Sequence, residues 1–120
     1  MKLEVGMYVR TELYGISEII YMENLEWIEI DKNKDFLIHR DTILKASYNI
    51  IDLIEVGDVI VDKEGHKYSI NYEFETDYNN EYKSYEITID DYITLFLKDG
   101  LSIITKEQIE QICYRIGDDK

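Results

Sequence analysis

The chain carries the segment EVGMYV at residues 4–9 and the similar segment EVGDVI at residues 55–60. In both places a Val-Gly step leads into β-favouring residues, a pattern that is common where small SH3-like barrels begin. The segment IHRDTI at residues 38–43 is likewise echoed by ITKEQI at residues 104–109. These echoes predict two similar β-rich units, each opening with a Val-Gly step and closing with a short helical turn, although matches this short also arise by chance.

Residues 1–120 are therefore expected to form a single domain of mainly β (β-rich α+β) class, with pseudo-repeated units at residues 1–54 and 55–120. A chain of this length can bury a sizeable core without disulfides or metals. Short runs of β-formers separated by turn signals predict antiparallel sheets. A capping box at Thr105–Gln108 predicts one short C-terminal helix.

The second half of the chain allows the most specific strand predictions. Apolar residues at every second position from Tyr68 to Phe74 predict one half-buried strand. The segment Tyr92–Leu97 is apolar on both faces apart from Thr94, which indicates a central strand. Since Asp99-Gly100 is a strong hairpin signal, that segment is expected to pair with Leu101–Ile104.

Charge restricts the partners that the protein can have. Acidic residues outnumber basic ones by 26 to 13, and the formal net charge is −13. Binding to nucleic-acid phosphates or anionic membranes depends on Lys and Arg, so we expect neither. The charge favours a basic protein partner or nucleoprotein complex, or it serves solubility alone.

The single cysteine bears on the compartment. Cys113 cannot form an intrachain disulfide, and its apolar-spaced neighbours indicate a buried structural thiol. Disulfides are rare in reducing compartments, so a cytoplasmic protein is expected. No apolar run approaches the length that spans a membrane.

Catalytic constellations are sparse. His39 and His66 are the only histidines, and neither has a Cys or a second His at metal-ligand spacing. The chain has no Gly-rich phosphate loop and no Gly-x-Ser-x-Gly elbow. Carboxylate pairs occur throughout so acidic a chain, so none of them indicates hydrolase chemistry. We therefore expect no enzyme activity, no catalytic residues, no metal and no cofactor.

The strongest charge signal is the acidic segment Glu73–Asp91, in which Lys83 is the lone basic residue. If Glu73, Glu75 and Asp77 continue one strand, they share a face at intervals of about 6.6–6.8 Å, on the order of the separation between nearby phosphates of a nucleic-acid strand. Such a ribbon suits a basic groove built for nucleic acid, where each carboxylate gains a charge-assisted hydrogen bond. An ordinary acidic hairpin, kept soluble and unpaired at its edge, is the alternative. The candidate partner-binding residues are Glu73, Glu75, Asp77, Tyr78, Glu81, Tyr82, Glu86, Asp90 and Asp91.

Three motifs carry a resemblance to a family, namely VGMYVRT at residues 5–11, NIIDLIEVGD at residues 49–58 and TKEQ at residues 105–108. The chain resembles short uncharacterised accessory proteins of clostridial phages and prophages, in which similar motifs form the first strand, the central junction and a helix start. The resemblance implies an accessory protein of a mobile element that acts on host defence or host machinery. It implies no catalytic residues.

Three functions follow from these patterns, in decreasing order of support. The first is an inhibitor, such as an anti-CRISPR or other anti-defence protein, that binds a basic host protein by mimicking nucleic acid. The second is a sponge for a signalling nucleotide, in which tyrosines, Trp27 and Phe96 stack on the base. The net charge and the small number of arginines (Arg10, Arg40 and Arg115) count against this second function. The third is a phage structural component or protein-interaction module that binds without dependence on charge.

Overall fold

The computed structural model describes the backbone of residues 2–118 and the side chains of residues 2–112. The chain divides into two compact units, one formed by Met1–Leu53 with Glu107–Lys120 and the other by Ile54–Lys106. Antiparallel strands dominate both units, and the mainly β class is confirmed. The single domain over residues 1–120 stays a prediction, and the expected burial of the Cys113 thiol lies outside the described side chains.

The first unit contains one five-stranded sheet. Its strands are β1 (Tyr8–Thr11), β2 (Gly15–Met22), β3 (Trp27–Ile30), β4 (Asn33–His39) and β5 (Ile43–Ser47). The order β4-β3-β2-β1-β5 shows a four-stranded meander whose first strand also pairs with β5. A 3₁₀ turn, Arg40–Thr42, separates β4 from β5, and a second one, Ile50–Leu53, follows β5. That this unit is SH3-like stays a prediction.

Isoleucines and valines that alternate along these strands build the core of the first unit. Val9, Ile19, Ile28 and Ile30 are each 0% exposed and pack together. The β1–β2 hairpin closes at Gly15, whose φ of 67° lies in the left-handed region that favours glycine.

The second unit carries six strands in two three-stranded sheets. They are β6 (Val59–Val61), β7 (Lys67–Ser69), β8 (Phe74–Asn79), β9 (Ser84–Ile89), β10 (Ile93–Phe96) and β11 (Ser102–Ile104). The sheet orders are β11-β6-β7 and β10-β9-β8, and a 3₁₀ turn, Leu97–Asp99, separates β10 from β11. When β7 and β8 are taken as one interrupted strand, the order equals that of the first unit.

The Val-Gly echo holds at the level of hydrogen bonds. Gly6 N–H donates to the carbonyl of Ile19 at 2.9 Å, and Ile19 N–H donates back to Met7 at 2.8 Å. In the second unit Gly57 N–H donates to Ile70 at 2.8 Å, and Ile70 N–H donates back to Asp58 at 3.0 Å. The two segments at residues 4–9 and 55–60 thus start the two units in the same way.

The second echo is wrong in its alignment. The 3₁₀ turn of the first unit corresponds to Leu97–Asp99 of the second, because each lies between the last strand of a meander and the strand that returns to its first. Residues 104–109 instead contain the start of α1 (Lys106–Asp118), so the predicted helix is confirmed. Its first N–H, from Lys106, donates to Asp58 Oδ1 at 2.9 Å.

Two strand predictions for the second half of the chain are also wrong. The segment Tyr92–Leu97 is not central, since β10 lies at the end of its sheet and pairs with β9 alone among the described strands. No hairpin forms at Asp99-Gly100, because Gly100, at φ 83°, ends the 3₁₀ turn and β11 then pairs with β6. Gly100 does adopt the left-handed conformation that the Asp99-Gly100 pair predicts, but it ends a 3₁₀ turn and does not form a hairpin.

Alternation from Tyr68 to Phe74 does not produce one continuous strand. Strand β7 ends at Ser69 and β8 begins only at Phe74, and Tyr72 in the gap is 63% exposed. Within the described residues, no helix has both the length and the apolar character to cross a membrane.

Candidate protein-binding surface

The acidic segment forms a hairpin in the second unit. Strands β8 and β9 pair in register from Phe74 opposite Ile89 to Asn79 opposite Ser84, and residues 80–83 connect them. Ile87 and Ile89 are 0% exposed, so they point into the core of the unit and their neighbours in β9 point away from it. The outward face of the hairpin is therefore fixed by the core.

Three carboxylates project from this outward face. Glu75 and Asp77 follow one another along β8 on the same side, and Asp77 lies directly opposite Glu86 of β9. Like charges in a direct cross-strand pair destabilise a sheet. Asn79 Nδ2 donates to Glu86 Oε2 at 3.3 Å, but among the described residues no Lys or Arg forms an ion pair with any of the three. Within the described side chains, no ion pair therefore neutralises the negative charge of this face.

Two more carboxylates extend the charge beyond the hairpin's open end. Glu73 precedes β8, and Asp91 lies in the turn that leads to β10. A side-chain hydrogen bond with Asp91, together with the charge of that carboxylate, raises the pKa of Glu73 above its usual value, and the Glu75 charge adds to the shift. We call Glu73, Glu75, Asp77, Glu86 and Asp91 the acidic face.

Asp90 does not belong to the acidic face, contrary to our candidate set. Its side chain is 3% exposed and accepts hydrogen bonds from the N–H groups of Asn71, Tyr72 and Glu73 at 3.1–3.2 Å. Burial raises the pKa of Asp90, but these hydrogen bonds outweigh it and hold the pKa below its usual value. Because the three N–H groups bond to Asp90, they cannot pair with a neighbouring strand, which explains the gap between β7 and β8.

The two tyrosines of the candidate set lie in different places relative to the acidic face. Tyr78 lies next to Asp77 in β8 and so points to the other face, where it meets Tyr85 edge to face with ring centroids 5.1 Å apart. Tyr82, in the connecting loop, packs on Phe96 of β10 at 4.9 Å. Phe96 is the cross-strand partner of Glu86, so Tyr82 borders the acidic face and Tyr78 does not.

The connecting loop carries charges of both signs. Glu81 is exposed there, and Lys83 adopts a left-handed φ of 52°. Lys98 Nζ lies 5.2 Å from the centre of the Tyr82 ring, a cation–π contact. The loop end of the hairpin is thus less uniformly negative than the strand face, and we do not include Glu81 in the acidic face.

A second acidic cluster, which sequence reasoning missed, surrounds a turn of the same unit. Potential ligand atoms of Asp62, Glu64 and His66 all lie within 4.8 Å of one another. Asp62 Oδ1 accepts the N–H groups of Glu64 and His66 at 3.0 and 2.9 Å, as in an Asx-type turn. Burial raises the pKa of Asp62, but these hydrogen bonds lower it further than burial raises it. The closure of the turn accounts for the cluster.

Two of the arginines are engaged within the first unit. Arg10 is fully buried against Glu107, and Arg40 Nη1 donates to the Leu25 carbonyl at 3.3 Å. The Arg115 side chain lies outside the described residues. Trp27 meets the His39 ring edge to face at 5.0 Å, and Phe96 belongs to the other unit. The structure does not gather arginine and aromatic side chains into one described pocket for a nucleotide.

Comparison of the chain with protein-family models, with curated proteins and with solved structures found no match.

Proposed function

We propose that the protein is a non-enzymatic inhibitor that binds a basic, nucleic-acid-binding host protein through the acidic face. The observation that carries the proposal is the placement of Glu75, Asp77 and Glu86 on one outward sheet face, with Asp77 opposite Glu86. Neighbouring carboxylates lie about 6.6–6.8 Å apart along a strand and about 4.5–5.5 Å across strands. A sheet holds that spacing without further loss of backbone entropy on binding.

Charge repulsion within the face favours a basic partner. In the free protein the carboxylates repel one another, and Lys or Arg side chains placed between them would remove that repulsion. An exposed ion pair contributes only about 0.2–1 kcal/mol, while a hydrogen bond to a charged group that is shielded from water contributes about 1.5–3 kcal/mol. Binding therefore requires a partner groove that covers the face, which is the shape of a nucleic-acid channel. The net charge of −13 would also speed association at low salt.

The proposed biological setting is a clostridial phage or prophage that counters host defence in the host cytoplasm, and an anti-CRISPR activity is its narrowest version. The sequence resemblance to mobile-element accessory proteins supports this setting. The absence of counter-charges on the acidic face, within the described part of the chain, supports a target that normally binds a polyanion.

The nucleotide sponge has less support. A phosphate needs cations, and Arg10 already bonds to Glu107 and to the Leu53 carbonyl. The third function, a charge-independent structural or interaction module, stays an alternative that salt dependence can separate from the first.

The test compares three tagged proteins in capture from a clostridial lysate at rising salt. They are the wild type, the triple variant Glu75→Gln/Asp77→Asn/Glu86→Gln, and a control, Glu23→Gln/Glu26→Gln/Asp35→Asn, that changes charge equally at exposed positions of the first unit. We expect a nucleic-acid-binding protein to be retained by the wild type and the control, lost from the triple variant and released as salt rises. With the purified target, the wild type should displace bound nucleic acid. A partner that the triple variant retains with unchanged salt dependence would contradict the proposal.

A further inference from the structure

The first unit contains an apolar cleft that the acidic face does not involve. It has a volume of about 450 Å³ and lies between the β1–β2 loop and the 3₁₀ turn Arg40–Thr42. Tyr14 and Ile38 line it, together with Leu13 and Leu44. The last two side chains are 55% and 45% exposed, so large aliphatic groups face water at the cleft.

Hydrogen bonds hold both sides of the cleft in place. On one side Tyr14 N–H donates to Thr11 Oγ1 at 3.0 Å, and the Tyr14 hydroxyl accepts from Asn33 Nδ2 at 2.9 Å. On the other side the Thr42 hydroxyl donates to the His39 carbonyl at 2.7 Å, which fixes the 3₁₀ turn. The cleft is therefore formed before a ligand arrives, as is usual for binding sites.

The mouth of the cleft is negatively charged. Glu12 and Asp41 both line it and are exposed, and none of the described lining residues is Lys or Arg. An apolar interior with an acidic rim complements a large apolar side chain that has a cationic neighbour.

The second unit has a cleft at the corresponding position. It has a volume of about 320 Å³ and lies between the β6–β7 loop and the 3₁₀ turn Leu97–Asp99. Leu95 and Leu101 line it, and Asp62, Glu64 and Asp99 add negative charge, but Lys63 is also present. Recurrence shows that the fold generates a cleft here, while the uniformly acidic rim is a property of the first unit.

We propose that the cleft of the first unit binds an extended segment of a partner protein in which Leu, Ile or Phe stands next to Lys or Arg. The apolar side chain enters between Leu13 and Leu44, and the cationic group meets Glu12 and Asp41. This site lies outside the acidic face, so it gives the protein a second means of binding a basic partner.

The proposal is tested with synthetic peptides and the full-length protein labelled with ¹⁵N. The probe is Gly-Ser-Lys-Leu-Arg-Ser-Gly, and two matched peptides replace its Leu by Ser or its basic residues by Glu. We expect the first peptide, at millimolar concentration, to shift the amide resonances of residues 11–14 and 38–44. Replacement of Leu by Ser should weaken binding roughly tenfold or more, and the acidic peptide should not bind.

Protein variants locate the site. Leu44→Ser and, separately, Leu13→Ser should weaken binding of the basic peptide roughly tenfold, whereas Leu25→Ser, at a position that is 71% exposed and does not line the cleft, should not. Two leucine variants are used so that one that fails to fold, as seen from its amide spectrum, leaves the other to decide. Glu12→Gln/Asp41→Asn should weaken binding and reduce its dependence on salt.

Several outcomes overturn the proposal. The first two are the absence of amide shifts with every peptide and shifts confined to other residues. The third is unchanged peptide binding by a folded Leu44→Ser or Leu13→Ser protein. The fourth is a concentration-dependent shift at the cleft without peptide, which would assign the cleft to a second copy of the chain. The triple variant of the acidic face should bind the peptide as the wild type does. These experiments therefore distinguish a failure of the proposal for the cleft from a failure of the proposal for the acidic face.

Discussion

Exchange of Glu107 for Gln is the sharpest test of how the first unit is held together. Arg10 is 0% exposed, and its Nε and Nη2 atoms donate to the two Glu107 carboxylate oxygens at 2.8 and 2.6 Å. Its Nη1 atom donates to the Leu53 carbonyl at 2.8 Å. Glu107→Gln preserves the shape of the side chain but removes the carboxylate charge that faces the buried guanidinium group.

The size of the effect follows from that burial. Removing one partner of a buried ion pair costs about 3–5 kcal/mol of unfolding free energy. The Glu107 side chain keeps 15% of its surface exposed, so water partly solvates the site, and we expect a loss near the lower end of that range. The double variant Arg10→Met/Glu107→Leu removes both charges and leaves the Leu53 carbonyl without the Arg10 donor, at a cost of about 1–3 kcal/mol. We therefore expect the double variant to be more stable than Glu107→Gln.

The assay is equilibrium unfolding in urea, followed by the fluorescence of Trp27. Trp27 is the only tryptophan and lies in β3, so its signal reports on the first unit. Glu110→Gln is the control, since it makes the same chemical change at an exposed position of the same helix. If Glu107→Gln shifts the midpoint no further than Glu110→Gln does, or if the double variant is the least stable of the set, the buried ion pair does not have the role that we assign to it.

Two further outcomes test the acidic hairpin. Asp90→Asn weakens the acceptor of the N–H groups of residues 71–73, so their hydrogen exchange should accelerate while exchange in β2 keeps its rate. Folding lowers the pKa of Asp90. The stability that ionised Asp90 contributes is therefore present above its unfolded pKa of about 3.9 and is lost as the pH falls through its folded pKa. The thermal midpoints of Asp90→Asn and the wild type should accordingly converge as the pH falls below about 4. The hydrogen bond with Asp91 and the negative charge of the Asp91 carboxylate raise the pKa of Glu73. The contribution of Glu73 to folding stability is therefore favourable below its unfolded pKa and is lost as the pH rises through its folded pKa. Glu73→Gln should accordingly raise the thermal midpoint at neutral pH, and an unchanged or lower midpoint there would contradict the repulsion between Glu73 and Asp91.

Local sequence patterns predicted the parts of the fold that local interactions determine. The helix that begins at Lys106 was predicted from the short segment at residues 105–108. The Val-Gly segments at residues 4–9 and 55–60 were recognisable because a glycine with positive φ is needed in both.

Contacts between distant residues account for the wrong predictions. Asp90 interrupts the strand at residues 71–73 from a position in a later turn, and no pattern within those residues records it. Phe96 makes β10 look apolar on both sides because it packs on Tyr82 of a separate loop. The cleft of the first unit likewise combines Leu13 with Leu44, which belong to different strands and loops. Alternation within one segment cannot show which residue covers its second face.

The position of Glu86 favours a binding role for the acidic hairpin over edge protection alone. Carboxylates that only prevent strands from joining at a sheet edge are needed on the edge strand, and Glu75 and Asp77 on β8 fit that role. Glu86, however, lies on β9, which is flanked by β8 and β10, so it protects no edge. There it lies opposite Asp77, where a neutral residue would favour the sheet. A hairpin whose charges serve solubility alone gains nothing from a carboxylate at this central position. The placement of Glu86 therefore supports the proposed binding role, in which Lys or Arg side chains of a partner would relieve the repulsion in the complex.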